Sequence, residues 1–336
     1  MIQNDKEKKR KYMDNSNGLT YGHFLDKHLL STKITWKDVD DWTPDQGILW
    51  IHLDANSDAA VNWLEHKSGL SPVVQESFLE QGTRPRYLTF KDGTLIILRS
   101  VNCNPGEDPD DMVALKMLIS DQRIITIGRN HIMAVADMHE TFLKGESPDN
   151  VGKFVVMVMD RICDRIAEII TDIEDQVADI EEKIIDSEAE ALRPLLAELR
   201  RQSISIRRYI APQRDMLARL QHEEISWLTE SDRIVLREIA EQTARFVDDI
   251  DATRELALIA QEELNSRLSE QMNKAMYLMS VVAAIFLPLS LITGLLGINV
   301  GGIPGNGSPW GFWNVTFILI ILAIILVLLF KKIKWL

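Results

Sequence analysis

The sequence predicts an α+β cytoplasmic domain followed by long stalk helices and two C-terminal transmembrane helices. Three observations carry that prediction. No Asp, Glu, Lys, Arg or His occurs from Ala275 to Phe330. Upstream of that stretch, apolar residues recur at helical steps from Val155 to Ile184. Before Pro148, short β-branched and aromatic runs alternate with turn signals. A chain of 336 residues has room for more than one domain. The boundaries read as an N-terminal cytoplasmic α/β domain (1–148), long helices including the stalk (149–274), a first span (275–298), an external loop (299–311), a second span (312–330) and a basic tail (331–336).

Residues 1–45 are mixed and polar, with few periodic signals. Gly47–Leu53 has the composition of a strand, and Ala59–Leu79 reads as helical with a break near Ser71-Pro72. Arg86–Phe90 and Thr94–Val101 alternate across Lys91-Asp92-Gly93, a hairpin signal. Val113–Ile119 and Arg123–Ile127 form a second hairpin pattern around Ser120–Gln122, and Ile132–Leu143 is a short helix. Together these give a small mixed sheet packed against helices.

After Pro148 the period changes. Val155, Met159, Ile162, Ile166, Ile169, Ile173, Val177, Ile180 and Ile184 step by four and three, a heptad-like stripe. Asp160, Asp164, Glu168, Asp172, Asp175 and Asp179 lie off it. A second helix covers Ala189–Leu220, starting near Pro194 and tolerating Pro212 at a kink. The third has cap chemistry at Thr229-Glu230-Ser231-Asp232, and no Pro or Gly occurs from Gln213 to Leu287. A helix from Asp232 to Ile298 spans about 100 Å, and only its last third fits a bilayer.

The first apolar run, Ala275–Ile298, makes about 36 Å of helix, and the second, Phe312–Phe330, about 28 Å. Each suffices for a hydrocarbon core of about 30 Å. Lys331, Lys332 and Lys334 follow the second run, Arg267 and Lys274 precede the first, and the connecting loop has no positive charge. Both termini are therefore expected in the cytoplasm. The basic stretch at 6–11 is followed by no apolar run and does not read as a secretory signal.

The formal net charge is −13; the tail from Ala275 carries +3, so residues 1–274 carry −16. That excess disfavours nucleic acid and favours cations. Cys103 and Cys163 show neither disulfide nor zinc spacing. His23, His28, His52, His66, His131, His139 and His222 all precede the spans. They read as ordinary surface residues, with only loose spacing at His23/His28 and His131/His139.

One face of the third helix has its own character. Glu262, Asn265, Ser269, Asn273, Met276, Ser280, Leu287, Ser290, Thr293 and Gly294 share a stripe at steps of three and four. Such residues also serve close helix packing with no conducting role. Pro288 has no N–H to donate to the Ala284 carbonyl and is expected to kink the helix there, where a gate would bend. Two spans cannot enclose an aqueous path, so a pore requires several copies with the first spans innermost. The second span, rich in Ile, Leu and Val, suits a lipid-facing position.

The stretch LNSRLSEQMNKAMYLMSVVAAIFLPLSLITGLLGIN, residues 264–299, resembles the signature region of the CorA family of divalent metal ion transporters. The resemblance covers about residues 20–336 and is most specific over 264–305. Gly297-Ile298-Asn299 stands where the family has its Gly-x-Asn motif. Ile298, where most magnesium and cobalt members have Met, together with the Val300–Gly305 sequence, resembles the ZntB zinc-transporting branch. The resemblance implies a CorA-like homopentamer in the lipid bilayer of a bacterial-type inner membrane. It implies Asn299 at the outer ion site, holding the metal through its hydration waters. It places Asn273, Met276, Met279, Leu287 and Ser290 along the pore beside Gly294, with Glu262 near the cytoplasmic funnel. Rings of amide and hydroxyl oxygens suit a hydrated divalent ion, which sheds water reluctantly. Zinc favours nitrogen and sulfur ligands, and the first span offers no His or Cys. Zinc thus rests on the resemblance, with Mg2+ or Co2+ as alternative cargo and no covalent cofactor expected.

A membrane-anchored helical sensor or scaffold is the reading from another class. No P-loop, nucleophile elbow, HExxH or Gly-rich nucleotide motif supports an enzyme.

Overall fold

A computed structural model describes residues 17–25, 31–186, 189–298 and 308–332. Two compact units divide between Gln261 and Glu262. In the first, strands β1 (Leu19–Leu25), β2 (Ser31–Lys33), β3 (Ile48–Asp54), β4 (Arg86–Phe90), β5 (Gly93–Ser100), β6 (Val113–Ile119) and β7 (Arg123–Gly128) form a seven-stranded sheet of order β2-β1-β3-β7-β6-β5-β4. The β3–β7 pair is parallel and the other neighbours are antiparallel. The β4–β5 hairpin turns at Lys91-Asp92-Gly93, where Gly93 has φ +137° and a Cβ would lie 2.3 Å from the Ile119 carbonyl oxygen. Only glycine suits that backbone.

Short helices α1 (Trp36–Asp41), α2 (Asp58–His66), α3 (Pro72–Leu79) and α4 (Met133–Leu143) flank the sheet. Leu49, Ile51, Leu53, Ile125 and Ile127 on one sheet face join Ala60, Trp63 and Leu64 of α2 and Val74 and Phe78 of α3 in a single core. The alternate residue Trp50 meets Phe142 of α4 and Phe154, with ring centroids 5.0 and 4.9 Å away. Both faces of β3 are thus covered, which is why ILWIHL reads as a nearly unbroken apolar run. The expected break in the helical stretch 59–79 falls between α2 and α3, with Pro72 at the start of α3. β1, β2 and α1 lie within the stretch that the sequence left without elements.

Long helices follow: α5 (Val151–Asp186), α6 (Ala189–Leu220) and α7 (Glu230–Gly297). On α5 the buried line runs Ile166, Ile170, Ile173, Val177. Ile169, placed on the stripe by the sequence, is only half-buried, and Ile170 takes its place. Both choices keep steps of four and three, so periodicity alone did not separate them. All six acids expected off the stripe are exposed. At the start of α7 the Asp232 carboxylate accepts from the Thr229 amide at 3.1 Å and from its hydroxyl at 2.6 Å, while the Asp232 amide donates to Thr229 Oγ1 at 3.3 Å. This reciprocal arrangement is a capping box with Asp in the acidic position.

The second unit holds the end of α7 and α8 (Gly311–Lys332), the two helices among the described residues long and apolar enough to cross a membrane. α7 remains helical through Pro288.

Candidate functional site

The candidate site is built on α7 from Glu262 onward. Residues separated by seven fall on one line of a slightly underwound helix, and Glu262, Ser269, Met276, Ala283, Ser290 and Gly297 form such a series. Glu262, Asn273, Ser290, Gly294 and Gly297 are exposed, and Met276, Met279 and Leu287 are 60%, 70% and 69% exposed. Ile298 is half exposed. Asn299 and the loop through residue 307 lie outside the described residues, as does the tail beyond Lys332.

The opposite side of the same helix is the covered one. Val281 is buried, and Ile285, Pro288 and Ile292 are half-buried, stepping by four, three and four. At about 100° per residue, that line lies roughly 150° around the helix from Met276, Ser280, Leu287, Ser290 and Gly294. On α8 the half-buried residues include Val315, Leu319, Leu322, Leu326 and Phe330, again on one face. In a unit of two spans, the residues that lose exposure mark the side each helix turns to the other. The polar stripe is turned away.

Three of the stripe's hydroxyls are satisfied locally. Ser269 and Ser280 donate to the carbonyls of Asn265 and Met276 at 2.8 and 2.9 Å, and Thr293 bonds the Leu289 and Ser290 carbonyls at 3.1 Å. Each hydroxyl keeps lone pairs free to accept from water. Gly294 and Gly297 have no atom within 4 Å of where a Cβ would stand. Below the span, Glu263 pairs with Arg267 and Glu270 with Lys274, each at 2.7 Å. Those pairs fall on the side of the covered line, whereas Glu262 has no ion-pair partner among the described residues. The carboxylate on the stripe is thus unpaired while its neighbours are ion-paired.

Elsewhere the histidines depart from expectation. His23 and His52 are buried rather than on the surface. His23 Nε2 lies 2.7 Å from His139 Nδ1, so the close pair is neither His23/His28 nor His131/His139. His28 lies outside the described residues. Tyr21 stacks on His139 and His52, with centroids 4.3 and 5.8 Å away. Thr126 Oγ1 accepts from Trp50 Nε1 at 3.0 Å, donates to the Ile51 carbonyl at 3.0 Å and meets His52 Nδ1 at 2.9 Å. With its one proton so committed, the hydroxyl accepts from a protonated His52 Nδ1. Burial, with smaller repulsions from His139 and Lys33, lowers the His23 pKa to about 4. Burial, then His131, lowers that of His52 to about 3. These are neutral core imidazoles, and among the described residues no three His, Cys, Asp or Glu side chains are placed to hold a metal.

The family model for the CorA-like Mg2+ transporter protein matches residues 45–332. The divalent cation transporter CmaX of Pseudomonas aeruginosa is 35% identical over 323 residues, covering 95% of this chain and 97% of that protein. The zinc transport protein ZntB of Pectobacterium carotovorum subsp. carotovorum is 34% identical over 287 residues, covering 85% and 88%. The solved full-length structure of CmaX covers 96% of this chain and 100% of its own, with a TM-score of 0.81 and 33% identity. The CorA magnesium transporter of Methanocaldococcus jannaschii shares the fold at a TM-score of 0.80 and 21% identity, over 94% and 98% of the two chains.

Proposed function

This chain belongs to the CorA family, and on that premise we propose that it is a divalent-cation transporter whose cargo is Zn2+. The observation that carries the reading is the stripe from Glu262 to Gly297, turned away from the covered face of the first span. In a homopentamer with first spans innermost, the stripe becomes five copies around one axis. Glu262 then forms a ring at the cytoplasmic end, Asn273, Met276, Met279, Leu287, Ser290 and Gly294 line the path, and Asn299 forms the outer ring. Both termini face the cytoplasm of a bacterial-type inner membrane.

The chemistry follows from the residues. Five Asn299 amide oxygens would accept hydrogen bonds from the waters of a hydrated cation, holding it without stripping its shell. Gly297 leaves that ring unobstructed. Met276, Met279 and Leu287 provide apolar constrictions between polar levels, the arrangement that gates by dewetting. Pro288 supplies a flexible point between Leu287 and Ser290. Zinc is supported by Gly297-Ile298-Asn299 and by the 34% identity to a zinc transport protein; the path offers oxygen and thioether rather than imidazole or thiolate.

Uptake of zinc, magnesium and cobalt into proteoliposomes, with and without a pH gradient, tests the reading. Zinc flux that Asn299→Ala abolishes while assembly persists supports it. Magnesium or cobalt flux without zinc flux changes the cargo. Absence of any cation flux leaves the long helices as a sensor or scaffold.

A further inference from the structure

The sheet face that carries the α2–α3 core also carries two buried cations. Lys116 on β6 and Arg99 on β5 are 6% and 8% exposed. The side-chain hydrogen bonds of both go to main-chain carbonyls. Lys116 Nζ donates to Ser77, to Phe78 at 2.9 Å and to Glu80, at the end of α3. The Arg99 guanidinium donates twice to Thr83 and once to Met112. Neither makes a close ion pair among the described residues; Glu80 acts on Lys116 from a distance, as Asp111 does on Arg99, whose guanidinium also lies 4.6 Å from the Tyr209 ring centroid. Both line a cavity of about 220 Å³ with Phe78, Thr83, Asp111 and the exposed Arg129.

A purely structural role would have these cations tie down the turn after α3, aided by the negative end of its dipole. A helix end supplies roughly half a charge, against two full positive charges here. Buried ions are ordinarily paired, because taking a charge out of water is costly. The imbalance is visible at Lys116, whose pKa burial lowers to about 8, against a raising effect of Glu80 and with further lowering by Arg129, Arg86 and Arg99. Glu80 is itself engaged by Arg86 at 2.7 Å.

Unused donors point the same way. A guanidinium has five N–H groups, and the three side-chain bonds of Arg99 leave two unspent. The Thr83 hydroxyl is buried and has no partner. Arg129 makes only a long side-chain bond, 3.3 Å to Asn56 Oδ1. Lys116, with three donors on three carbonyls, contributes charge alone.

We propose that this cavity binds a small oxyanion of the phosphate class, with Arg99, Arg129 and Thr83 as hydrogen-bond donors and Lys116 as the fixed charge behind them. Inorganic phosphate and pyrophosphate, titrated calorimetrically into the full-length protein in detergent against chloride of equal ionic strength, are the test. Saturable binding of either, with a phosphate-dependent rise in unfolding temperature, is expected. Arg129→Gln, on the exposed rim, should weaken it about tenfold, the range of one charge-assisted hydrogen bond. Thr83→Val should weaken it severalfold. Lys116→Met frees three carbonyls and is liable to unfold, so the decision rests on the other two variants. Heats indistinguishable from chloride, or saturable binding unchanged in both variants, would overturn the proposal. Because binding is read without transport, its failure leaves the zinc reading untouched.

Discussion

Gly152, near the start of α5, shows how one residue sets the meeting of two long helices. A Cβ there would stand 2.4 Å from Asp232 Oδ2 and 2.6 Å from the Trp227 carbonyl oxygen. Asp232 cannot yield freely, because the same oxygen accepts both Thr229 bonds. Gly152→Ala should therefore destabilise by about 1–3 kcal/mol, the usual range for overpacking, measured by denaturant unfolding in detergent. The imidazoles give a pH prediction. His23 is held neutral when folded, to about pH 4, while an unfolded histidine takes its proton near its ordinary value of 6.5. Between those values the unfolded state binds more protons, so stability falls as pH drops through the window and is flat above it. His52, His131 and His139 are shifted in the same direction. For His23 alone the full effect is about 3 kcal/mol. Thermal unfolding from pH 7.5 to 4.5 should show the loss, and His23→Phe should reduce it; a flat profile would contradict the buried assignment. None of this was legible in the sequence. His23 and His139 are 116 residues apart, and a search for metal-like spacing finds only neighbours along the chain. The periodicity of the polar stripe on α7, built from local steps, was legible.

At the scale of elements, legibility followed how much each segment depends on distant partners. β4 with β5 and β6 with β7 are hairpins whose alternation and turns lie within a few residues. β1 and β2 are not, since Gly22 and His23 interrupt LTYGHFL and β2 has only 3 residues. β1 is held instead by pairing with β3, a contact the local pattern does not encode. The long helices declared themselves by stripe and cap. The N-terminus of α7 is fixed by Thr229 and Asp232, and Thr229→Ala removes the hydroxyl from both side-chain bonds of that box. A loss of about 1 kcal/mol is expected, with faster amide exchange over the first turn of α7. Unchanged exchange there would mean that packing alone holds the start of this helix.

On the scale of the whole molecule, the exposed Met276, Met279 and Leu287 of the isolated chain need cover from lipid or from further copies of α7. Five copies of the 38.3 kDa chain give about 190 kDa, and light scattering on the detergent-solubilised protein should find that protein mass. A monomer or dimer would exclude a central path lined by the stripe. Charge tests the same arrangement more finely. Residues 1–274 carry −16 against +3 on the tail, a split legible from composition, but composition does not say which carboxylates act on the cation. The structure separates Glu262, unpaired on the stripe, from Glu263 and Glu270, ion-paired beside it. Asp172 and Asp179 are exposed on α5, away from its buried line. If the acidic balance only keeps the protein soluble, all of these are equivalent. If a ring of Glu262 concentrates cations beneath the path, Glu262→Gln lowers zinc flux severalfold at low ionic strength. Salt then narrows the difference, since screening reaches about 10 Å at 0.1 M. Asp172→Asn combined with Asp179→Asn changes flux little. Equal effects from the two sets, or none from Glu262→Gln at any salt, would place Glu262 off the pathway and leave the negative charge as a solvated surface.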